Sequence, residues 1–470
     1  MKTIVMKFGG TSVGTGENIR RVARLVSETV RDSYRAIVVT SAVGGTTDKL
    51  VEASETARKG DEEFVKAFKK QILEIHLAAV CESIKNERLR KDVSQTVESI
   101  ADELEKVLTG ISYVGELTPK SRDYVLSFGE RLAAPILCGA LRDFKLESKC
   151  FTGKEAGMVT DANFGEANPL MNVTTHEIKQ RLGPLLEKGV VPVVTGYIAA
   201  NQDGVVTTLG RGGSDYTATI LGVALDVNEV WIWTDVDGIM TADPKIVPAA
   251  KMLSELSYQE AAEMAIFGAK AMHPRALEPV SKANIPVRIR NVFNPLNSGT
   301  LISNVQAARS ADAVKAVAMI KDVAMINIAG AGMVGAPGSY AKIFEVLGKN
   351  GINIMMISAA VSEANISVVI RRGLLGRALS TLEIALLGRS IVSEVTAEDD
   401  VCVIAAMGAN MQGTLGVASR VFTAVANRGI NIRMIAQGSS ELNISFVVKE
   451  KDGEAVVRAI HEEFKLSKAS

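Results

Sequence analysis

Lys7-Phe8-Gly9-Gly10-Thr11-Ser12 puts a lysine and two adjacent glycines at the end of a short apolar run, just ahead of a segment with helical spacing. Glycines there let the backbone approach a phosphate, amides at the helix start point at it, and Lys7 adds a positive charge. Taken alone, the same turn is equally a tight structural turn. It is neither a Walker A loop nor a GxGxxG dinucleotide fingerprint, so a nucleotide-using enzyme of another design is needed to make sense of it. Asp215 follows Gly212-Gly213-Ser214 and enters a segment, Tyr216 to Val223, that reads as a helix; its carboxylate either caps that helix or serves chemistry. None of the four histidines, His76, His176, His273 and His461, stands in an acid/base constellation, and each reads as structural or surface. Cys81, Cys138, Cys150 and Cys402 lack the close pairing of a zinc site or a disulfide framework. That fits a reducing cytosol, and a cytoplasmic location is expected.

These residues need elements to hold them. Thr3–Met6 is a short apolar, partly β-branched run ending in the glycine turn, and Ala36–Thr40 repeats the pattern after a helical stretch from Glu17 to Arg31. The reading is strand, helix, strand. Val190–Thr195 and Glu229–Thr234 add buried-type strands. Continuous apolar strands alternating with helices predict an α/β domain whose mainly parallel sheet is covered on both faces. Between Glu55 and Leu108, apolar residues such as Phe64, Phe68, Ile72 and Ile75 recur at helical spacing among charges, which reads as an insert of two or more long helices. The turn-rich NPLNSGT around Asn294, and then the polar, alanine-rich Ser303–Asp312, close the first domain, placed at residues 1–303.

The 470 residues, 47% hydrophobic and 23% charged, suit about three units at roughly 150 residues each. Lysine plus arginine balances aspartate plus glutamate at 53 each, so no net field holds nucleic acid or an anionic membrane surface. The apolar start of MKTIVMKFGG is too short for a signal peptide, and no run of about 18 uncharged apolar residues occurs. No membrane and no nucleic-acid partner are expected.

The last third of the chain repeats itself. Asn353 in GINI and Asn365 in NIS recur 78 residues on as Asn431 and Asn443, and Gly330, Gly335, Gly338 and Phe344 recur as Gly408, Gly413, Gly416 and Phe422. So many shared spacings indicate two copies of one fold. Each copy reads as strand, glycine loop, helix, GIN turn, strand, polar hairpin, strand, and resembles an ACT domain, a small amino-acid-sensing module. The resemblance implies two ferredoxin-like domains, with a linker and the first copy at 304–398 and the second at 399–470. A strand expected at 313–321 is a candidate partner for the second copy.

KFGGTS, then Ser41–Thr47 (SAVGGTT), Ser127–Arg131 (SFGER), Gly210–Asp215 (GRGGSD), Thr234–Ile239 (TDVDGI) and Phe267–Lys270 (FGAK), in this order, resemble the aspartokinase family over nearly the whole chain. The resemblance implies a three-layer α/β amino-acid-kinase fold, ATP with Mg2+ as phosphoryl donor and L-aspartate as acceptor. The product would be 4-phospho-L-aspartate, which leads to lysine, threonine and methionine. Lys7 and Asp215 would be catalytic, with Asp215 orienting Lys7 or Mg2+. Glu130 would meet the substrate ammonium and Arg211 its α-carboxylate through two parallel hydrogen bonds, with Ser41, Thr47 and Ser214 adding contacts. Glu130-Arg131 also reads as a surface charge pair. The nucleotide would lie on Lys7, Gly9, Gly10, Ser12, Thr234, Asp235, Asp237, Met240, Lys245 and Lys270. Met240 stands where tyrosine is frequent and Lys245 where arginine is, which leaves a thioether for the purine and an ammonium without a planar fork.

A substrate carboxylate with an ordinary pKa of about 3.9 is already ionised at neutral pH and needs no general base. Cations and amide donors around a loose phosphoryl group carry the burden instead. An acetylglutamate kinase is the nearest alternative, but its blocked amine would leave Glu130 without purpose. A non-catalytic sensor is opposed by Lys7, Glu130, Arg211 and Asp215 being present together. A fusion to homoserine dehydrogenase is not expected, the sequence running to Ser470 just after the second repeat.

For regulation, Met333, Ala336, Gly338, Ser339, Asn353 and Ile354 in the first copy, with Asn431 and Ile432 in the second, are the candidate effector residues. Lysine-sensitive relatives carry an aspartate after the equivalent of Ile354; Met355 stands there and leaves a lysine ammonium uncompensated. A small polar effector fits better, and the end-product logic of the family that the chain resembles makes threonine the expected inhibitor, against the alternative that the ACT pair is only a dimerisation device. A homodimer or homotetramer through the ACT domains is expected.

Overall fold

The computed structural model describes residues 1–267, 272–304, 313–387 and 392–468. The chain divides into two compact units, one of Met1–Ile239, Ser254–Tyr258 and Ala271–Val305, the other of Met240–Leu253, Gln259–Lys270 and Gln306–Ser470.

The first unit is built on an eight-stranded sheet in the spatial order Ser148–Phe151, Val191–Thr195, Tyr34–Thr40, Lys2–Phe8, Glu229–Thr234, Val287–Asn291, Thr300–Ser303 and Glu255–Ser257. Every adjacent pair is parallel except Val287–Asn291 with Thr300–Ser303. Val191–Thr195 is buried at all five positions, the mark of a parallel strand covered on both faces. The crossover helix Gly16–Arg31 starts where Thr15 accepts from the Asn18 amide, and buries Ile19, Val22, Ala23 and Val26 at helical spacing. Residues 55–108 belong to three helices, Thr46–Ala57, Glu62–Ser83 and Glu87–Val114, and Phe68, Ile72, Val97 and Leu104 enter the main core.

The Pro119–Asp143 helix, capped by Thr118 with proline in its first turn, crosses that core. It is the one described helix long and apolar enough to span a membrane, but 89% of its apolar window is buried inside protein, and it carries two buried carboxylates, Asp123 and Glu130. A three-stranded sheet of Val159–Thr160, Ile198–Asn201 and Val206–Thr208 lies in the same unit.

The second unit holds a six-stranded antiparallel sheet in the order Met356–Ala359, Asn365–Arg371, Ala316–Ala329, Glu394–Met407, Asn443–Lys449, Met434–Ala436. The two central strands are fourteen residues long, and both copies use both of them. Met325–Ala329 pairs with Glu394–Glu398 in one half, and Ala316–Ile320 with Val403–Met407 in the other. The register shifts between Ile320 and Val323, where Asp322 takes a left-handed conformation with φ of 62°. Each half is a ferredoxin-like layer of four strands and two helices with its own core, around Ile328, Ile343 and Leu382 in one and Ile404, Val421 and Ile460 in the other; the first runs βαββαβ, while the second takes its last strand, Ala316–Ile320, from ahead of the rest. Met240–Leu253 joins this unit through the Val317 amide, which donates to the Thr241 carbonyl at 2.8 Å, and a Thr241–His461 hydrogen bond of 3.0 Å. The buried Glu260 pairs with Lys315 at 3.0 Å and accepts from the Ala409 amide at 2.8 Å.

Candidate active site

Lys7 sits near the carboxyl end of a central parallel strand, level with Val39 and Ile232 on its neighbours. In open α/β sheets ligands bind outside that edge. There the first unit opens a cleft of about 860 Å³ whose lining includes Lys7, Gly10, Ser41, Thr47, Glu130 and Gly210–Asp215. Two helices start at it, Thr46–Ala57 and Gly213–Ala224, each N-capped by a left-handed glycine, Gly45 (φ 74°) and Gly212 (φ 72°), with no side chain on its first amides. Uncapped helix starts favour anions. A side chain at Gly212 is also barred by space, since a Cβ there would lie 2.3 Å from that of His273.

Lys7 Nζ lies 2.5 Å from Asp215 Oδ1, with side chains only 11% and 13% exposed. Glu130 is buried; one carboxylate oxygen accepts from the Ala42 amide at 3.3 Å and the other has no partner among the described residues. Burial pushes its pKa up to about 8, opposed by backbone hydrogen bonds and the Lys7 charge. A half-satisfied buried carboxylate in a cleft is prepared for a cationic group. Arg211 is exposed and, among the described residues, no hydrogen bond or ion pair engages its guanidinium. Arg131, next to Glu130 in sequence, turns away to pair with Glu103 at 2.5 Å and stack on Phe128.

The expected substrate residues Ser41, Thr47, Glu130, Arg211 and Ser214 thus meet Lys7, Gly10 and Asp215 in one cleft, and Gly9, Ser12, Thr234, Asp235 and Asp237 are not among the described residues that line it. The Gly9 amide donates to the Trp233 carbonyl, and Ser12 is buried with its hydroxyl on that same carbonyl at 3.3 Å. Thr234 donates to Asp235, and Asp237 accepts from Asn291 at 2.7 Å and Asn294 at 3.2 Å. Met240 and the exposed Lys245 belong to the second unit, and Lys270 lies outside the described residues.

The cleft also holds Arg122, Asp123, Phe164, Glu166 and Tyr197, which sequence reasoning missed. Asp123 left a readable signal, since it precedes Glu130 by seven residues, two helical turns on one face; Arg122 adjoins it on the same helix, and Phe164, Glu166 and Tyr197 come from separate loops.

In the second unit Met333 is buried, and Ser339 opens the Ser339–Lys349 helix with its hydroxyl on the Ala336 carbonyl at 2.8 Å. Gly338 caps that helix at φ 85°. Asn353 and Asn431 are exposed, and Ile354 and Ile432 pack on the cores of their own copies. Glu363 accepts from the Gly335 amide and Glu441 from that of Gly413, again 78 residues apart; neither glutamate was singled out from the sequence.

The amino acid kinase family model matches residues 2–291, and the ACT domain model matches residues 326–386 and 404–464. Aspartokinase 2 of Arabidopsis thaliana is 35% identical over 98% of this chain and 84% of its own length. A bifunctional aspartokinase/homoserine dehydrogenase of Zea mays is also 35% identical, but the chain spans only about half of it, 51%. Among solved structures, E. coli aspartokinase III with lysine and aspartate superposes with a TM-score of 0.83 at 29% identity, covering 99% of this chain and 100% of that one. The same enzyme with aspartate and ADP gives 0.82 over 98% and 99%. Matched along nearly its whole length by these kinases, with the kinase and ACT segments in the order the fold shows, the chain belongs to the aspartokinase family.

Proposed function

We propose that the cleft transfers the terminal phosphoryl group of ATP to the side-chain carboxylate of L-aspartate. The observation that carries this reading is Glu130, whose buried, unpartnered carboxylate oxygen faces the same cleft as Arg211 and the Lys7–Asp215 pair. A zwitterionic substrate would place its ammonium at Glu130 and its α-carboxylate at Arg211, leaving the side-chain carboxylate toward Lys7. One of its oxygens forms a bond to the terminal phosphorus as the bond to the bridging oxygen breaks, and ADP leaves with that electron pair. Lys7 and the two helix starts stabilise charge on the transferring oxygens.

Asp215 holds Lys7 in place. Mg2+ takes one or two carboxylates plus phosphate oxygens, so an ion carried on the nucleotide needs few protein ligands. Asp215 is the carboxylate at hand for such an ion, which would neutralise phosphate charge.

The E. coli enzyme's complexes with aspartate and ADP, and with lysine and aspartate, support the choice of substrates and an amino-acid effector. Threonine is the proposed effector here because Met355 replaces the charge a lysine would need, with assembly through the ACT domains as dimer or tetramer. The product would enter the pathway to lysine, threonine and methionine. The test is hydroxylamine trapping of the acyl phosphate with ATP, Mg2+ and, in turn, aspartate, glutamate and acetylglutamate. Hydroxamate from aspartate alone is the expected result; preference for either other acid overturns the reading.

A further inference from the structure

Among the described residues no side chain pairs with Arg211, so its place in the cleft is set by its backbone. That backbone is unusual: Gly210 and Gly212 on either side both take φ of 72°, a region glycine enters freely and that offers no side chain as an anchor. The loop must be held from elsewhere.

Asp123 does this from below. Only 1% exposed, it points its carboxylate at the end of the Val206–Thr208 strand. One oxygen accepts from the Thr208 hydroxyl at 2.9 Å, and the other accepts from the amides of Thr208 and Gly165, each at 2.9 Å. Three donors on one buried carboxylate tie together three stretches of the cleft wall: the Pro119–Asp143 helix, the Phe164–Glu166 loop and the loop that leads through Leu209 and Gly210 to Arg211. Arg275 clamps the same two loops from the side. Its guanidinium donates to the Leu209 carbonyl at 3.1 Å and to the Ala167 carbonyl and Asn168 side chain at 2.8 Å each. The loops also lie against each other, since a Cβ on Gly210 would come within 3.0 Å of Glu166 Cγ.

We propose that Asp123, assisted by Arg275, is a positioning residue that fixes the height of Arg211 in the cleft relative to Glu130, and so sets the affinity for the substrate's α-carboxylate. This rests on the aspartate-binding reading given above. Asp123 and Glu130 share one rigid helix, so a single element carries the group that would hold the substrate ammonium and the group that holds the loop of its carboxylate partner. The distance between the two ends of the bound amino acid is thereby built into the helix.

The test uses the full chain. Asp123→Asn places an NH2 group among three N–H and O–H donors, and Thr208→Val removes the hydroxyl alone. Asp123→Asn is expected to raise KM for aspartate at least tenfold and KM for ATP less than twofold, with Thr208→Val in the same direction but smaller. Because Asp123 would act through Arg211, Asp123→Asn in an Arg211→Ala background is expected to raise KM for aspartate no further. Should Asp123→Asn fail to fold, Thr208→Val and Arg275→Lys carry the same comparison. Equal rises in both KM values, or an undiminished effect of Asp123→Asn in the Arg211→Ala background, overturns the proposal. An active wild type with an unaltered variant sinks this inference alone, whereas a wild type that makes no aspartyl hydroxamate sinks the functional reading.

Discussion

The Lys7 ammonium and an Asp215 carboxylate oxygen lie 2.5 Å apart, joining the end of the first strand to the first turn of the Gly213–Ala224 helix. The pair is shielded enough for removal of either charge to be felt at the phosphoryl group. Lys7→Ala is expected to lower turnover at least 100-fold, about 2.7 kcal/mol, with little change in melting temperature. Hydroxamate assays beside melting curves check this; turnover within a few-fold of wild type takes Lys7 out of the chemistry.

Glu130→Gln removes the partner for the substrate ammonium and leaves the nucleotide end untouched. KM for aspartate is expected to rise far more than KM for ATP. In the wild type the aspartate affinity is also expected to gain with pH up to about 8, because burial pushes the Glu130 pKa up to about 8 and binding the ammonium must release the proton. A pH series of KM for both enzymes decides the matter: a slope that persists in Glu130→Gln assigns the titration elsewhere.

The same carboxylate makes an opposite demand on folding. Its pKa is raised from 4.5 to about 8, so between those values the folded chain binds a proton that the unfolded chain has lost, and stability falls as pH rises through that window. Glu130→Gln cannot lose a proton. Its melting temperature is expected to exceed that of the wild type at pH 8, with the gap closing toward pH 4.5. A gap that is constant with pH, or that widens in acid, contradicts the burial argument.

Millimolar threonine is expected to inhibit and lysine alone not to. Ser339→Ala opens the hydroxyl contact to the Ala336 carbonyl that closes the loop before the Ser339–Lys349 helix, and Asn353→Ala alters the exposed GINI turn. Both should relieve inhibition while sparing turnover. For a tenfold shift threonine needs roughly 1.4 kcal/mol of differential affinity between two arrangements. Dose responses with each amino acid are the measurement, and strong inhibition by lysine with none by threonine reverses the reading of Met355.

Much of the fold was open to reading because the parallel strands announce themselves. Glu229–Thr234 is apolar enough to be bounded from its residues alone, and Thr3–Met6 was found one or two residues short at each end. The cleft residues on glycine-marked turns were equally visible. Asp123 was harder, since a carboxylate in a mixed helix looks like surface until the helix is known to be buried. Arg275 could not be found, because two of its partners are backbone carbonyls of distant loops, those of Leu209 and Ala167, and backbone hydrogen bonds leave no trace in residue type. Glu363 and Glu441 obey the 78-residue spacing yet were overlooked, as glutamates in polar hairpins seldom stand out.

The two long strands at the centre of the six-stranded sheet carry a consequence for dissection. Glu394–Glu398 completes the first copy and Val403–Met407 the second, while Ala316–Ile320, which precedes both, closes the second. The repeat in the sequence is therefore not a repeat of separable parts. A protease nick between residues 387 and 392 would leave each fragment short of a strand that the other retains, so the fragments should stay associated and melt together in a single transition. Expressed apart, neither fragment should complete its part of the six-stranded sheet until the other is added.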